Sequence, residues 1–141
     1  MIRLAFDFDG SLGHKPHLQE YARELISRGL DVWIVTARYD SVERYTEDFK
    51  IKYFIVNIED EHKHLFDIAD QCGISRDHIK FMNMELKSEF FREHDFLWHL
   101  DDDQFECNDI NKTTNTVAIQ CNSSNWKHKC ERLIKKKLNG K

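Results

Sequence analysis

A Rossmann-like, three-layer α/β sandwich around a mainly parallel central sheet of five or six strands is predicted by three observations in this chain of 141 residues. Short apolar runs alternate with stretches of helical spacing, the order that builds βαβ units. The first run, Ile2-Arg3-Leu4-Ala5-Phe6, gives way to carboxylates at Asp7 and Asp9 and then to Gly10, as a buried strand does on reaching a ligand-binding sheet edge. Later runs end alike: Val32-Trp33-Ile34-Val35 closes on Thr36, and Phe96-Leu97-Trp98-His99-Leu100 closes on Asp101-Asp102-Asp103.

Each element has its own reason. After the first strand, Gly10 lets the chain bend away. Leu18, Tyr21, Ala22, Leu25 and Ile26 then recur at helical spacing between Pro16 and Gly29, a start and a stop that proline and glycine favour. The second strand runs from Leu30 to Thr36. Residues 39–58 have two readings. Tyr53-Phe54-Ile55-Val56 reads as an extra strand, with Val42, Tyr45 and Phe49 on a short helix, or the segment is an insertion beside the site. Its aromatic residues Tyr39, Tyr45, Tyr53 and Phe54 then either pack the core or stack on a substrate base. Leu65, Phe66, Ile68 and Ala69 form a helix ending near Cys72-Gly73, Ile79-Lys80-Phe81-Met82 a strand, and Lys87-Ser88-Glu89-Phe90-Phe91 a short helix with Lys87 near its amino end. Val117-Ala118-Ile119 is the last strand, and Trp126, Cys130, Leu133, Ile134 and Leu138 are the apolar stripe of a closing helix.

This length suits one domain, 1–141, with one core. Apolar residues at 40% and charged residues at 33%, with no apolar run near the roughly 18 residues of a membrane helix, describe a globular protein that keeps away from membranes. The amino terminus is already strand, so no signal peptide is expected before it. Cys72, Cys107, Cys121 and Cys130 lack C-x-x-C pairing and lie far apart, which points to reduced thiols and a cytoplasmic location. His14, His17, His62 and His64 complete no tetrahedral metal set. The net charge of −4 divides unevenly, with +6 from Trp126 onward and −10 before it. Such a tail either contacts phosphate backbones or is a solvated helix face.

Asp7-Phe8-Asp9-Gly10-Ser11, Thr36, Lys87 and Asp101-Asp102 follow one another in the order of four known motifs. On these residues the chain resembles the haloacid dehalogenase (HAD) superfamily of phosphohydrolases over most of its length, with Ser11 where threonine is usual. The resemblance implies hydrolysis of a phosphate monoester through an aspartyl-phosphate, with Mg²⁺ as cofactor. It makes Asp7 nucleophile and metal ligand, and Asp9 general acid/base and a ligand through its backbone carbonyl. Thr36 and Lys87 donate to phosphoryl oxygens, and Asp102 ligates metal with Asp101 as the assisting acid. A one-residue slip would promote Asp103, whose other role is to cap a helix. Ser11 and Arg38 are substrate-binding candidates, although Arg38 equally suits an ion pair. An acid at Asp9, where relatives that keep the phosphoenzyme often have threonine, implies turnover.

Only 26 residues separate Asp9 from Thr36, and a helix with its connections uses nearly all of them. No large cap fits there. The Lys87–Phe91 helix, the Leu100-Asp101-Asp102 step and the Thr36-Ala37-Arg38 step are similar to phosphatase domains of polynucleotide end-healing enzymes and to small capless phosphatases of phage type. The expected partner is accordingly a phosphorylated small molecule or a nucleic-acid end. The other reading is a catalytically silent protein of the same type that binds a phosphorylated ligand or a protein partner.

Overall fold

A computed structural model describes residues 1–40 and 58–140, with the side chain of Ile58 outside the description. Five strands form one sheet: β1 (Arg3–Phe6), β2 (Asp31–Thr36), β3 (Ile79–Phe81), β4 (Trp98–Asp101) and β5 (Val117–Gln120). Their order is β3-β2-β1-β4-β5, and every neighbouring pair is parallel. The first strand is therefore central. The chain winds outward first to one side and then to the other, so the order reverses beside β1, where open α/β sheets place their ligands.

The register fixes what faces what. Ala5 lies opposite Trp33 and His99, and Phe6 opposite Ile34 and Leu100. Side chains alternate along a strand. One face thus carries Ala5, Val35 and Ala118, packed against Phe90 and Phe91 of α4 (Lys87–Glu93) and Cys107 and Ile110 of α5 (Gln104–Thr113). On the other, Leu4, Phe6, Ile34, Trp98 and Leu100 pack against α1 (Pro16–Ser27), α3 (Lys63–Cys72), which the single-turn α2 (Ile58–Glu61) precedes, and α6 (Trp126–Asn139). This is the three-layer arrangement expected. Strands buried on both faces read as continuous apolar runs, which explains why they stood out in the sequence.

The helices end where their residues dictate. Gly29 (φ 81°) and Gly73 (φ 86°) take the left-handed conformation that follows α1 and α3. Asp103 caps α5, its Oδ1 accepting from the backbone N–H groups of Phe105 at 2.8 Å and Glu106 at 3.2 Å. Beyond β5, the edge is closed by a side chain: the Asn111 amide donates to Ala118 O (3.0 Å) and accepts from Ala118 N (2.8 Å), imitating a neighbouring strand. That pairing blunts the edge against further strand addition.

Two expectations need amendment. Helix α5 has no place among the anticipated elements, because only Cys107 and Ile110 are buried along it and Phe105 is exposed. Leu138 is exposed, so the buried stripe of α6 stops at Ile134. The proposed strand at Tyr53–Val56 and helix at Val42–Phe49 lie outside the described residues. Cys72, Cys107, Cys121 and Cys130 are free, buried thiols. Among the described residues, no helix is long and apolar enough to cross a membrane.

Candidate active site

Asp7 continues the line of β1 in extended conformation, and its N–H donates to Leu100 O at 2.8 Å. Its carboxylate therefore emerges at the carboxyl end of the central strand. A tight turn follows, with Leu12 N donating back to Asp7 O (3.1 Å) and Gly10 at φ 76°. Gly10 is required twice over. Its dihedral suits glycine, and a Cβ there would stand 2.2 Å from Asp102 Oδ2. Gly10→Ala is expected to displace Asp102 and cost about 1–2 kcal/mol of stability. Denaturant unfolding of the variant beside the parent checks this.

Around Asp7 the fold collects side chains from three segments. Lys87 Nζ, at the start of α4, donates to Asp7 Oδ1 at 2.6 Å and to Asp101 Oδ2 at 2.7 Å. Ser11 Oγ donates to Asp7 Oδ2 at 3.0 Å and lies 3.4 Å from Asp102 Oδ1. Asp7, Lys87 and Asp101 are all buried, whereas Asp102 is exposed. Two carboxyl groups share one ammonium in this buried group. Burial pushes the Asp7 carboxyl well above its usual range, Lys87 opposing and Asp101 reinforcing the shift. Burial also acts to raise Asp101, but its bonds to His99 and Lys87 outweigh that and hold it well below the ordinary value. Lys87 stays charged: desolvation works against its ammonium, and the two carboxylates prevail.

His99 completes the network. It is fully buried on β4, and period-two alternation sets it on the same face as Asp101. Burial lowers its pKa, against the pull of Asp101, so the neutral ring donates Nε2–H to Asp101 Oδ2 at 2.8 Å. Oδ1 of Asp101 accepts from Asp103 N at 3.0 Å. Both oxygens of Asp101 are thus engaged, and Asp103 is committed to capping.

Asp7, Asp101 and Asp102 each place an oxygen within 4.8 Å of the others, a separation suited to one cation. All-oxygen donors and a buried negative charge fit a hard dication such as Mg²⁺. Asp102 has the freer carboxylate, whereas both oxygens of Asp101 are already bonded.

Asp9 and Arg38 form a second group at the mouth. Arg38 Nε donates to Asp9 Oδ2 at 2.9 Å and NH2 to Oδ1 at 2.7 Å, a bidentate pair with the Asp9 side chain 54% exposed. The hydrogen bond from Arg38 is the main reason the Asp9 carboxyl lies below its ordinary value, burial acting against it. Thr36, buried at the end of β2, accepts from Arg38 N at 3.3 Å and has no bond to the Asp7 group among the described residues.

The histidines considered as ligands have other partners: His62 Nδ1 lies 3.2 Å from Arg38 NH1, and His64 Nε2 lies 2.8 Å from Gly13 O. Lys15, absent from the expected set, donates to Gly10 O at 2.8 Å. The lysine-rich end of α6 stands elsewhere. Lys136 and Lys137 line a recess with Leu97, and Lys137 another with Met1, Ile2 and Arg3, at the starting ends of the strands and opposite Asp7.

In comparison with known proteins, no family model matches the chain, and no curated protein matches it either.

Proposed function

We propose that the protein is a Mg²⁺-dependent phosphomonoesterase of HAD type without a large cap, acting on a phosphorylated small molecule or a nucleic-acid end. The observation that carries this reading is Asp7: a carboxylate at the end of the central strand, bonded to a buried ammonium and sharing one cation-sized space with Asp101 and Asp102.

In the first half-reaction the Asp7 carboxylate attacks phosphorus, an acyl-phosphate bond forms, and the bond to the leaving alcohol breaks. Asp9 supplies the proton that the departing oxygen takes. In the second, water attacks the phosphorus of the aspartyl-phosphate, Asp9 accepts the water's proton, and Asp7 is regenerated as inorganic phosphate leaves. Lys87 and Thr36 donate to the phosphoryl oxygens, where charge accumulates. Asp7, Asp102 and the Asp9 carbonyl would hold Mg²⁺, which when bound neutralises phosphate charge and so admits an anionic nucleophile. Ser11 orients Asp7 through its 3.0 Å bond.

The Asp9–Arg38 pair constrains this scheme. A carboxylate gripped by a guanidinium is a poor proton donor, so substrate must draw Arg38 toward its phosphate before Asp9 can act. A second reading takes the pair as permanent, which leaves a protein that binds phosphorylated ligands without turning them over. The two separate on Asp9→Asn. Turnover of an alkyl phosphate should fall on the order of 10²–10⁴-fold, and that of an aryl phosphate, whose leaving group needs no proton, should fall less. Equal losses for both would remove the acid role. The wider test is a panel of phosphorylated metabolites, nucleotides and 3′- or 5′-phosphorylated oligonucleotides, assayed with Mg²⁺ or with EDTA. Metal-dependent phosphate release from some member is expected, and no release from any would favour the binding protein.

A further inference from the structure

We infer that His62 is a positioning residue that anchors Arg38 for the phosphate of the substrate, an inference that rests on the reading of Arg38 as a phosphate ligand. His62 is only 4% exposed and stands immediately before α3, with Phe66 N donating to its carbonyl at 2.9 Å. Its ring is fixed between Phe81, 4.9 Å away between centroids, and Phe66, 6.0 Å away. Both ring nitrogens are used. Nε2 lies 2.8 Å from Tyr39 O, an atom that can only accept, so Nε2 carries the proton. Nδ1 of the neutral ring is then an acceptor, and it faces Arg38 NH1 at 3.2 Å, a group that can only donate. The tautomer follows from the partners, and each bond requires the other.

Arg38 has five N–H groups in a rigid fork. Two go to Asp9 and one to His62, and the guanidinium carbon lies 5.0 Å over the Phe8 ring. Among the described residues, two N–H groups remain for an incoming phosphoryl oxygen. When that anion also draws the fork from Asp9, the bond to His62 and the ring of Phe8 keep the guanidinium from swinging into solvent. His62 thus separates holding the arginine from holding the acid. Without it, every encounter with substrate would have to order a long side chain anew.

Two isosteres divide this role from a merely structural one. In His62→Asn the amide oxygen replaces Nδ1 and can still accept from Arg38. In His62→Gln the amide nitrogen replaces Nε2 and keeps the bond to Tyr39 O while the acceptor for Arg38 is lost. His62→Gln should raise KM for a phosphate monoester, and the dissociation constant of inorganic phosphate by calorimetry, about tenfold, equivalent to about 1.4 kcal/mol. His62→Asn should recover most of that loss. Arg38→Ala should be no worse when combined with His62→Gln, because both changes remove one interaction. Equal effects of the two isosteres, or additive effects in the double variant, would overturn the anchoring role. The phosphate titration separates the two claims. Wild-type protein that binds phosphate with this pattern but hydrolyses no ester keeps the anchor and loses the phosphatase. Hydrolysis without the pattern does the reverse, and wild-type protein that neither binds phosphate nor hydrolyses an ester loses both.

Discussion

Asp7→Asn is expected to abolish turnover, by on the order of 10⁴-fold or more, while leaving the fold at least as stable at neutral pH. The catalytic loss follows from removing the attacking oxygen. The stability follows from burial. Folding raises the Asp7 carboxyl above its ordinary value of 3.8, so the native state holds this proton more tightly than the unfolded chain does. That contribution is fully present below the ordinary value and is lost as pH rises through the folded one. At neutral pH, placing this carboxyl in the buried site costs stability, and asparagine removes that cost. The amide oxygen still accepts from Lys87, which also keeps Asp101, 2.7 Å away. Thermal unfolding at pH 7 should show a Tm equal to or above that of the parent, and Mg²⁺ should raise the parent's Tm more than the variant's. A sharply lower Tm would assign Asp7 to holding the fold together.

Lys87→Met should do the opposite. Methionine fills a similar volume but leaves Asp7 and Asp101 facing each other in a buried space with no cation between them. Removing one partner of a buried ion pair costs about 3–5 kcal/mol, because the remaining charge is uncompensated. Denaturant midpoints should fall accordingly, and turnover should be lost with them. Adding Asp7→Asn to Lys87→Met should restore part of the stability but none of the activity. A loss under about 1 kcal/mol in Lys87→Met would mean that water or rearrangement relieves the two acids.

The sequence disclosed the strands that are buried on both faces, because such strands are unbroken apolar runs. It disclosed the ends at which Asp7, Thr36 and Asp101 stand, since an abrupt change from apolar to acidic or hydroxylic marks a sheet edge. Helix α5 was illegible for the converse reason: one side of it meets solvent and the other offers little beyond Cys107 and Ile110. His99 carried a usable signal, a histidine two residues before Asp101 in an apolar run, where alternation places both on one face. The bonds from Arg38 to Asp9 and His62 span 29 and 24 residues, and no local pattern reports a contact of that kind. His62 and His64, which complete no metal set in the sequence, each turn a ring to a different backbone carbonyl. The Lys-rich helix read as a possible substrate contact because charge is visible in a sequence and its place relative to the sheet is not.

The central claim is that Asp7 carries the phosphoryl group. The most direct measurement is mass spectrometry of peptides from protein quenched in acid during turnover of a phosphorylated substrate with Mg²⁺. The account predicts a phosphoryl adduct on the peptide containing Asp7, labile to hydroxylamine as an acyl-phosphate is, and absent with EDTA or in Asp7→Asn. Turnover that persists in Asp7→Asn, or an adduct confined to a different residue, would contradict it.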